Sequence, residues 1–324
     1  MFYKYIIIVS HSGFIELKPT EKGQFLMQVQ DVDLRLLRIF VTIVECGGLS
    51  AAESRLNIGR STISTHLSDL EIRLGLKLCK RGRSGFELTD AGRITYQASL
   101  ELLQQCETFT STVAGSKHQL SGRVTIAIID TLVSDPRCGV AQAIATLKAK
   151  SANLQFEIYV CEAREVETSV ANGRSLVGIG VSRHQIRGLD YVPLHNETNY
   201  LYCGKGHPLF DCEANKISDL LPQAEVITSN YLRDKDSRND GLNYQNSASA
   251  YHDEGIAHLI LSGQFIGYLP EHFASHWVDK GLFRAILPAQ YHYQIPVMLI
   301  TSKSNQISPL AQATIEVIRR CHLQ

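Results

Sequence analysis

Arg60, Ser61, Thr62, Thr65 and His66 fall at the start of one helical run, and Arg81 and Arg83 follow in a short glycine-flanked hairpin. Their chemistry suits a nucleic acid. A guanidinium forks onto the N7 and O6 of guanine, and hydroxyls reach phosphates or base edges. Arginines at a hairpin tip can grip phosphates or enter a minor groove. Each residue also has a plainer reading. Ser61 and Ser64 suit helix capping as well as base contact, Asp69 suits solvent, and a hairpin arginine can simply be solvated. The order of the surrounding elements favours the first reading.

Those elements are legible from period and punctuation. Leu34, Leu37, Val41 and Val44 step along one face of a helix predicted over 33–45, and Gly47-Gly48 stops it. Ser50-Ala51-Ala52-Glu53 reads as a capping box opening a second helix that ends near Leu56. Asn57-Ile58-Gly59 makes the tight turn, since both Asn and Gly tolerate left-handed backbone. A third helix, 61–73, turns Ile63, Leu67, Leu70 and Leu74 inward and leaves Arg60, Ser61, Thr62, Thr65, His66 and Asp69 outward. Two strands carrying Leu78 and Lys80, then Phe86 and Leu88, follow around Gly82-Arg83-Ser84-Gly85. This is the order of a winged helix-turn-helix, whose third helix enters the major groove.

Composition agrees with local rather than global attraction. The chain has 324 residues, 44% hydrophobic and 20% charged, with a net charge of +0. No overall field draws it to nucleic acid. Residues 27–93 hold ten basic and eight acidic side chains, and six of the ten lie between Arg73 and Arg93. Eight cysteines are scattered without a C-x-x-C, so neither a zinc site nor a disulfide framework is expected, and reduced cytoplasmic thiols fit. The apolar run within Met1–Ser10 is too short to span a membrane, and no membrane partner is expected. With only three methionines in the chain, Met27 just ahead of the first helix reads as the biological start, and residues 1–26 as translated leader, within an extension over 1–30.

The segment resembles the N-terminal domain of LysR-type transcriptional regulators. The matching pieces are Leu36-Leu37-x-x-Phe40, Ser50-Ala51-Ala52, Leu56, Thr62-Ile63-Ser64, Leu70-Glu71-x-x-Leu74-Gly75, Leu78, Arg81 and Leu88-Thr89-x-Ala91-Gly92. Gly48-Leu49, Glu53 and Cys79 depart from the family's usual residues and leave the exact operator open. The resemblance places the DNA-binding domain at 31–90.

Thr89 caps a helix predicted to run to about His118, over a linker of 91–118. Leu102, Cys106, Phe109 and Val113 step by four, three and four, which suits a two-helix seam. Packing of that stripe on the chain's own C-terminal part is the plainer alternative. The resemblance implies a homodimer or homotetramer, and a dimer matches a two-fold operator.

From Arg123 onward strands and helices alternate, so an α/β fold with a mostly parallel, doubly wound sheet is predicted, with a helix starting at Asp135-Pro136. Strands are read at 123–129, 154–160, 176–181, 191–194, 198–203, 225–228, 265–269, 282–287 and 295–301. Helices are read at 164–172, 251–262 and 308–322. Lys205–Leu209 and Ile260–Pro270 resemble second-lobe signatures of the same family. The resemblance implies a periplasmic-binding-protein-like, two-lobed effector domain over 121–322, with lobe 1 at 121–193 and 295–322 and lobe 2 at 194–290. A cleft ligand would sit at strand ends and helix starts, near Thr131, Ser134, Ser182, Arg183, Thr228 and Ser229. Hydroxyls there suit a small anion, or serve as caps and turn residues. The polar stretch 230–250 either covers the cleft or is a surface loop.

Other classes lack their motifs. Cys203 and Cys212 offer a thiol switch, but Lys205 alone would activate Cys203. G-x-S-x-G, the P-loop and G-x-G-x-x-G are absent from the sequence, so no enzyme and no cofactor are expected. His272 and His276 lack the Glu of H-E-x-x-H, so no metal is expected. A solute-binding protein without DNA activity would have no use for the winged segment. The reading is a cytoplasmic, sequence-specific DNA-binding regulator with a small-molecule effector.

Overall fold

The computed structural model describes residues 5–9, 15–19, 29–82, 85–115, 120–182, 185–229, 242, 248–303 and 308–322. The chain divides into two compact units, Met1–Ser99 and Leu100–Gln324.

The first unit opens with an antiparallel hairpin of β1 (Tyr5–Val9) and β2 (Ile15–Pro19), in a stretch where the sequence pattern marks no element. Helix α1 (Asp31–Glu45) buries Leu36, Leu37, Phe40, Val41 and Ile43. The buried stripe is therefore wider than the predicted Leu34/Leu37/Val41/Val44 line, because α1 is covered by both following helices. Gly47 takes φ +73 and ends it as expected. Helix α2 (Leu49–Leu56) starts two residues earlier than the capping box requires, behind Gly48 at φ +149. Ser50 is therefore not the cap. Asn57 is left-handed, φ 52, and makes the turn into α3 (Arg60–Leu74), which buries Ile63, Leu67 and Leu70. Strands β3 (Cys79–Gly82) and β4 (Gly85–Leu88) form the hairpin, with Arg81 opposite Phe86. Helix α4 (Asp90–Gly115) follows, begun by Thr89, whose Oγ1 accepts from the Gly92 amide at 2.9 Å.

The second unit is built on β5 (Gly122–Ile128), α5 (Val140–Lys150), β6 (Leu154–Val160), α6 (Ala163–Ala171) and β7 (Val177–Val181). A single strand, β8 (Leu189–Gly204), replaces the two strands predicted over 191–203. Then come α7 (Ala214–Leu220), β9 (Glu225–Val226), β10 (Thr228–Ser229), β11 (Ser249–Ala250), α8 (Asp253–Leu261) and β12 (Phe265–Pro270). Helix α9 (Glu271–Asp279), β13 (Phe283–Ala285), β14 (His292–Ser302) and α10 (Pro309–His322) close the chain. The main sheet runs β6-β5-β7-β14-β8-β12-β9, with β13 also on β8.

This sheet is mixed rather than mostly parallel. β5 pairs β6 and β7 in parallel, but β14 is antiparallel to both β7 and β8, and β12 and β13 are antiparallel to β8. The long pair β8–β14 joins the two ends of the sheet: the chain leaves along β8, forms α7 to β13, and comes back antiparallel along β14. One core lies around Ile126, Leu147, Ile179 and Ile300; the others flank Leu201, Ile266, Ile260 and Leu269. The predicted helix at Asp135-Pro136 is replaced by a 3-10 turn, Leu132–Ser134, with α5 beginning only at Val140. Asp135 spends its carboxylate on Arg137 instead of on a helix start.

Candidate nucleic-acid interface and effector cleft

Arg60, Ser61, Thr62 and Thr65 are exposed together on the first turns of α3, and His66 is half-buried beside them. The helix presents them because its opposite side is fixed twice. Glu53 accepts a hydrogen bond from the Arg60 amide, so the carboxylate predicted to cap α2 caps the start of α3 instead. At the far end, Arg73 grips the fully buried carboxylate of Asp33 on α1, with Nη2 3.0 Å from Oδ2. The Arg73 guanidinium holds the Asp33 carboxyl below the usual range, against the opposing effect of burial.

The same helix also holds the hairpin. Glu71, buried, accepts from the amides of Leu78 at 2.9 Å and Cys79 at 3.4 Å, and from Lys77 Nζ at 2.8 Å. Burial raises its pKa, but these donors together outweigh burial and leave the carboxyl low. Arg81 lies on β3. Arg83 and Ser84, the predicted tip, lie outside the described residues. Thr89 Oγ1 donates toward the carbonyls of Lys77 and Leu78, and a Cβ on Gly92 would lie 2.0 Å from the Leu78 oxygen. Glycine is required there by close approach.

Along α4, Leu102 and Cys106 are half-buried, while Phe109 and Val113 are 70% and 51% exposed. An aromatic ring as exposed as that of Phe109 leaves apolar surface in water on this face of the helix.

The second unit holds a cavity of about 360 Å³. Asp130, Glu197 and Asp253 line it, with Tyr251, Tyr268 and Tyr293, and with Ile129, Ile256 and Ile295 as apolar wall. Asp130 follows β5, Glu197 stands on the crossing strand β8, and Asp253 begins α8, so three separate elements converge. The Asp253 amide donates to Asp130 Oδ2 at 2.9 Å, and the Thr131 hydroxyl hydrogen-bonds the Asp253 carboxylate. Burial raises the pKa of Asp253 well above the usual range, and the charges of Asp130 and Glu197 add to it. Asp130 is raised as well, by burial first. A wider groove of about 1120 Å³ adjoins it, lined by Thr131, Ser134, His258, Phe273 and Trp277.

The residues predicted at strand ends therefore fall in different places. Thr131, with φ 64, and Ser134 line the groove, and Ser134 Oγ bonds the Thr131 carbonyl at 2.8 Å and His272 Nδ1 at 2.9 Å. Ser182 gives its hydroxyl to Glu167 Oε1 at 2.6 Å. Thr228 Oγ1 is buried without a hydrogen-bond partner. Arg183 and the side chain of Ser229 lie outside the described residues, as does most of 230–250. The acidic wall was missed because its members are isolated in sequence. Its one local signal was an acid directly after a strand, Asp130, and another opening a helix, Asp253.

Asp135, Glu197 and His272 bring ligand atoms within 4.8 Å of one another. Arg137 already holds Asp135, with Nε 2.9 Å from Oδ1 and Nη2 2.9 Å from Oδ2, and His272 Nε2 lies 3.2 Å from Glu197, so the set forms an ion-pair network. All eight cysteines are free thiols. Burial pushes Cys203 up to about 12, the reverse of what an oxidant-sensing thiolate needs. Among the described residues no helix is long and apolar enough to cross a membrane.

Comparison with known proteins places both units. Residues 34–93 match the family described as bacterial regulatory helix-turn-helix protein, lysR family, and residues 117–321 match the LysR substrate binding domain. The chain is 41% identical over 292 residues to the HTH-type transcriptional activator BauR of Pseudomonas aeruginosa, covering 90% of this chain and 96% of that protein. The fold is shared with full-length CbnR solved in complex with its target DNA: TM-score 0.60, 18% identity, 90% of this chain and 100% of that one. A full-length AphB variant gives a TM-score of 0.59 at 16% identity, over 88% of this chain and 98% of that one.

Proposed function

The chain belongs to the LysR family of DNA-binding transcriptional regulators, with a helix-turn-helix and an effector-binding domain, and on that premise we propose how its own residues divide the work. It is a transcription regulator, not an enzyme. Base selectivity is assigned to Arg60, Ser61, Thr62, Thr65 and His66, and backbone grip to Arg81 and Arg83. The observation that carries this is the exposed row on α3, clamped from behind through Glu53 and Asp33. The protein acts in the cytoplasm as a homo-oligomer paired through Leu102, Cys106, Phe109 and Val113. The BauR relative is named an activator, and the same sign of control is proposed here.

The effector enters the second unit beside Asp130, with Thr131 and Ser134 at the adjoining groove and Ser182, Thr228 and Ser229 supporting the strand ends. Sequencing of DNA fragments that co-purify with the protein supplies the operator. On that operator, Arg60→Ala should cost about 1–3 kcal/mol and relax preference at one base pair while non-specific binding persists. Gel shifts showing unchanged affinity and selectivity would refute the assignment.

A further inference from the structure

The cavity beside Asp130 has a charge that hydroxyl-based anion binding does not explain. Among the described residues lining it, Asp130, Glu162, Glu197 and Asp253 stand against one guanidinium, that of Arg164, which is exposed. Glu197 is only 5% exposed, and Asp130 and Asp253 are joined through a 2.9 Å hydrogen bond from the Asp253 amide. Carboxylates gathered in a partly dry space repel one another, and the groups beside them are imidazoles, His272 3.2 Å from Glu197 and His252 3.6 Å from Asp130, which carry charge only when protonated. Burial first, and then the charges of Asp130 and Glu197, raise the pKa of Asp253. The remaining wall is isoleucine and tyrosine. Aromatic faces attract cations, and apolar walls of this extent are matched by hydrocarbon, not by a bare metal ion. The volume, about 360 Å³, is that of a small organic ligand.

We propose that this cavity binds a small aliphatic amine in its protonated form, its ammonium seated among Asp130, Glu197 and Asp253 and its chain against Ile129, Ile256 and Ile295. The proposal rests on the effector-cleft reading above and narrows it to a cation. An ammonium supplies up to three donors, which the three carboxylates can accept together. A small anion would enter a cavity walled by four carboxyl groups.

Thermal melting and calorimetry of the full chain test it, with n-butylamine hydrochloride, butyramide and sodium butyrate as probes of equal length and different charge. The amine should raise the melting midpoint, and the amide and the acid should not. Asp253→Asn and Glu197→Gln should each weaken amine binding roughly 30-fold or more. Circular dichroism without probe checks that each variant is folded, and either one alone suffices. No response to the amine, or amine binding unchanged in a folded variant, overturns the proposal. Stabilisation by butyrate alone that disappears in Ile256→Trp overturns the amine but leaves the cleft as the binding place. An amine response that survives Ile256→Trp overturns the cleft reading and the proposal with it.

Discussion

At the scale of single residues, the DNA-binding unit depends on two buried carboxylates, Asp33 and Glu71. Glu71 ties the hairpin to α3 through the amides of Leu78 and Cys79. Its folded pKa lies below the ordinary glutamate value of 4.5, so its contribution is complete above that value and fades as pH falls through the folded value. Glu71→Gln should therefore cost about 1–3 kcal/mol at neutral pH, chiefly through the two amides, since Lys77 is largely solvated. Denaturant titrations of both proteins should show that difference shrinking below about pH 4.5. A difference constant with pH would mean that the carboxylate charge is irrelevant. The sequence revealed Glu71 only as part of a family pattern. Its role depends on residues several positions on, across a turn whose shape no local rule supplies. Glu53 shows the same limit: the capping-box spacing was real, but left-handed backbone at Gly48 shifted the helix start and freed the carboxylate to reach Arg60.

At the scale of elements, amphipathic helices and short strands were readable because period and punctuation coincided. The turn at Asn57 and the stop at Gly47 lie where left-handed backbone was expected. Helices α7 and α9 gave no such signal, and α9 carries Phe273 and Trp277 into the groove. The sequence pattern divides strand β8 in two at the polar run His195-Asn196-Glu197, yet these residues continue its pairing with β14. The stripe on α4 is the reverse case: legible in sequence, and left exposed at Phe109 and Val113 in the single chain. If it is a pairing seam, Phe109→Asp places a charge in an apolar interface. Sedimentation velocity should then show a lighter species at micromolar concentration, with the helical content unchanged. An unaltered sedimentation coefficient would remove α4 as the seam.

At the scale of the whole molecule, zero net charge means that DNA binding draws on a local surface and not on the field of the chain. Salt dependence then counts contacts. Each phosphate contact released from B-DNA flattens the plot of log K against log salt by about 0.9. On the proposal that Arg83 makes one phosphate contact per chain, Arg83→Ala should take about 0.9 from the slope for a monomer on its site and about 1.8 for a pair of chains. Arg60→Ala, assigned to a base, should leave the slope nearly unchanged while lowering affinity for the operator. Filter-binding titrations over a range of salt separate these cases, and they join three scales in one measurement. The residue sets whether the slope moves, the hairpin sets where the contact is made, and the number of chains on the DNA sets by how much. A slope that flattens equally for both variants would mean that Arg60, too, meets a phosphate, and that the row on α3 reads the backbone rather than the bases.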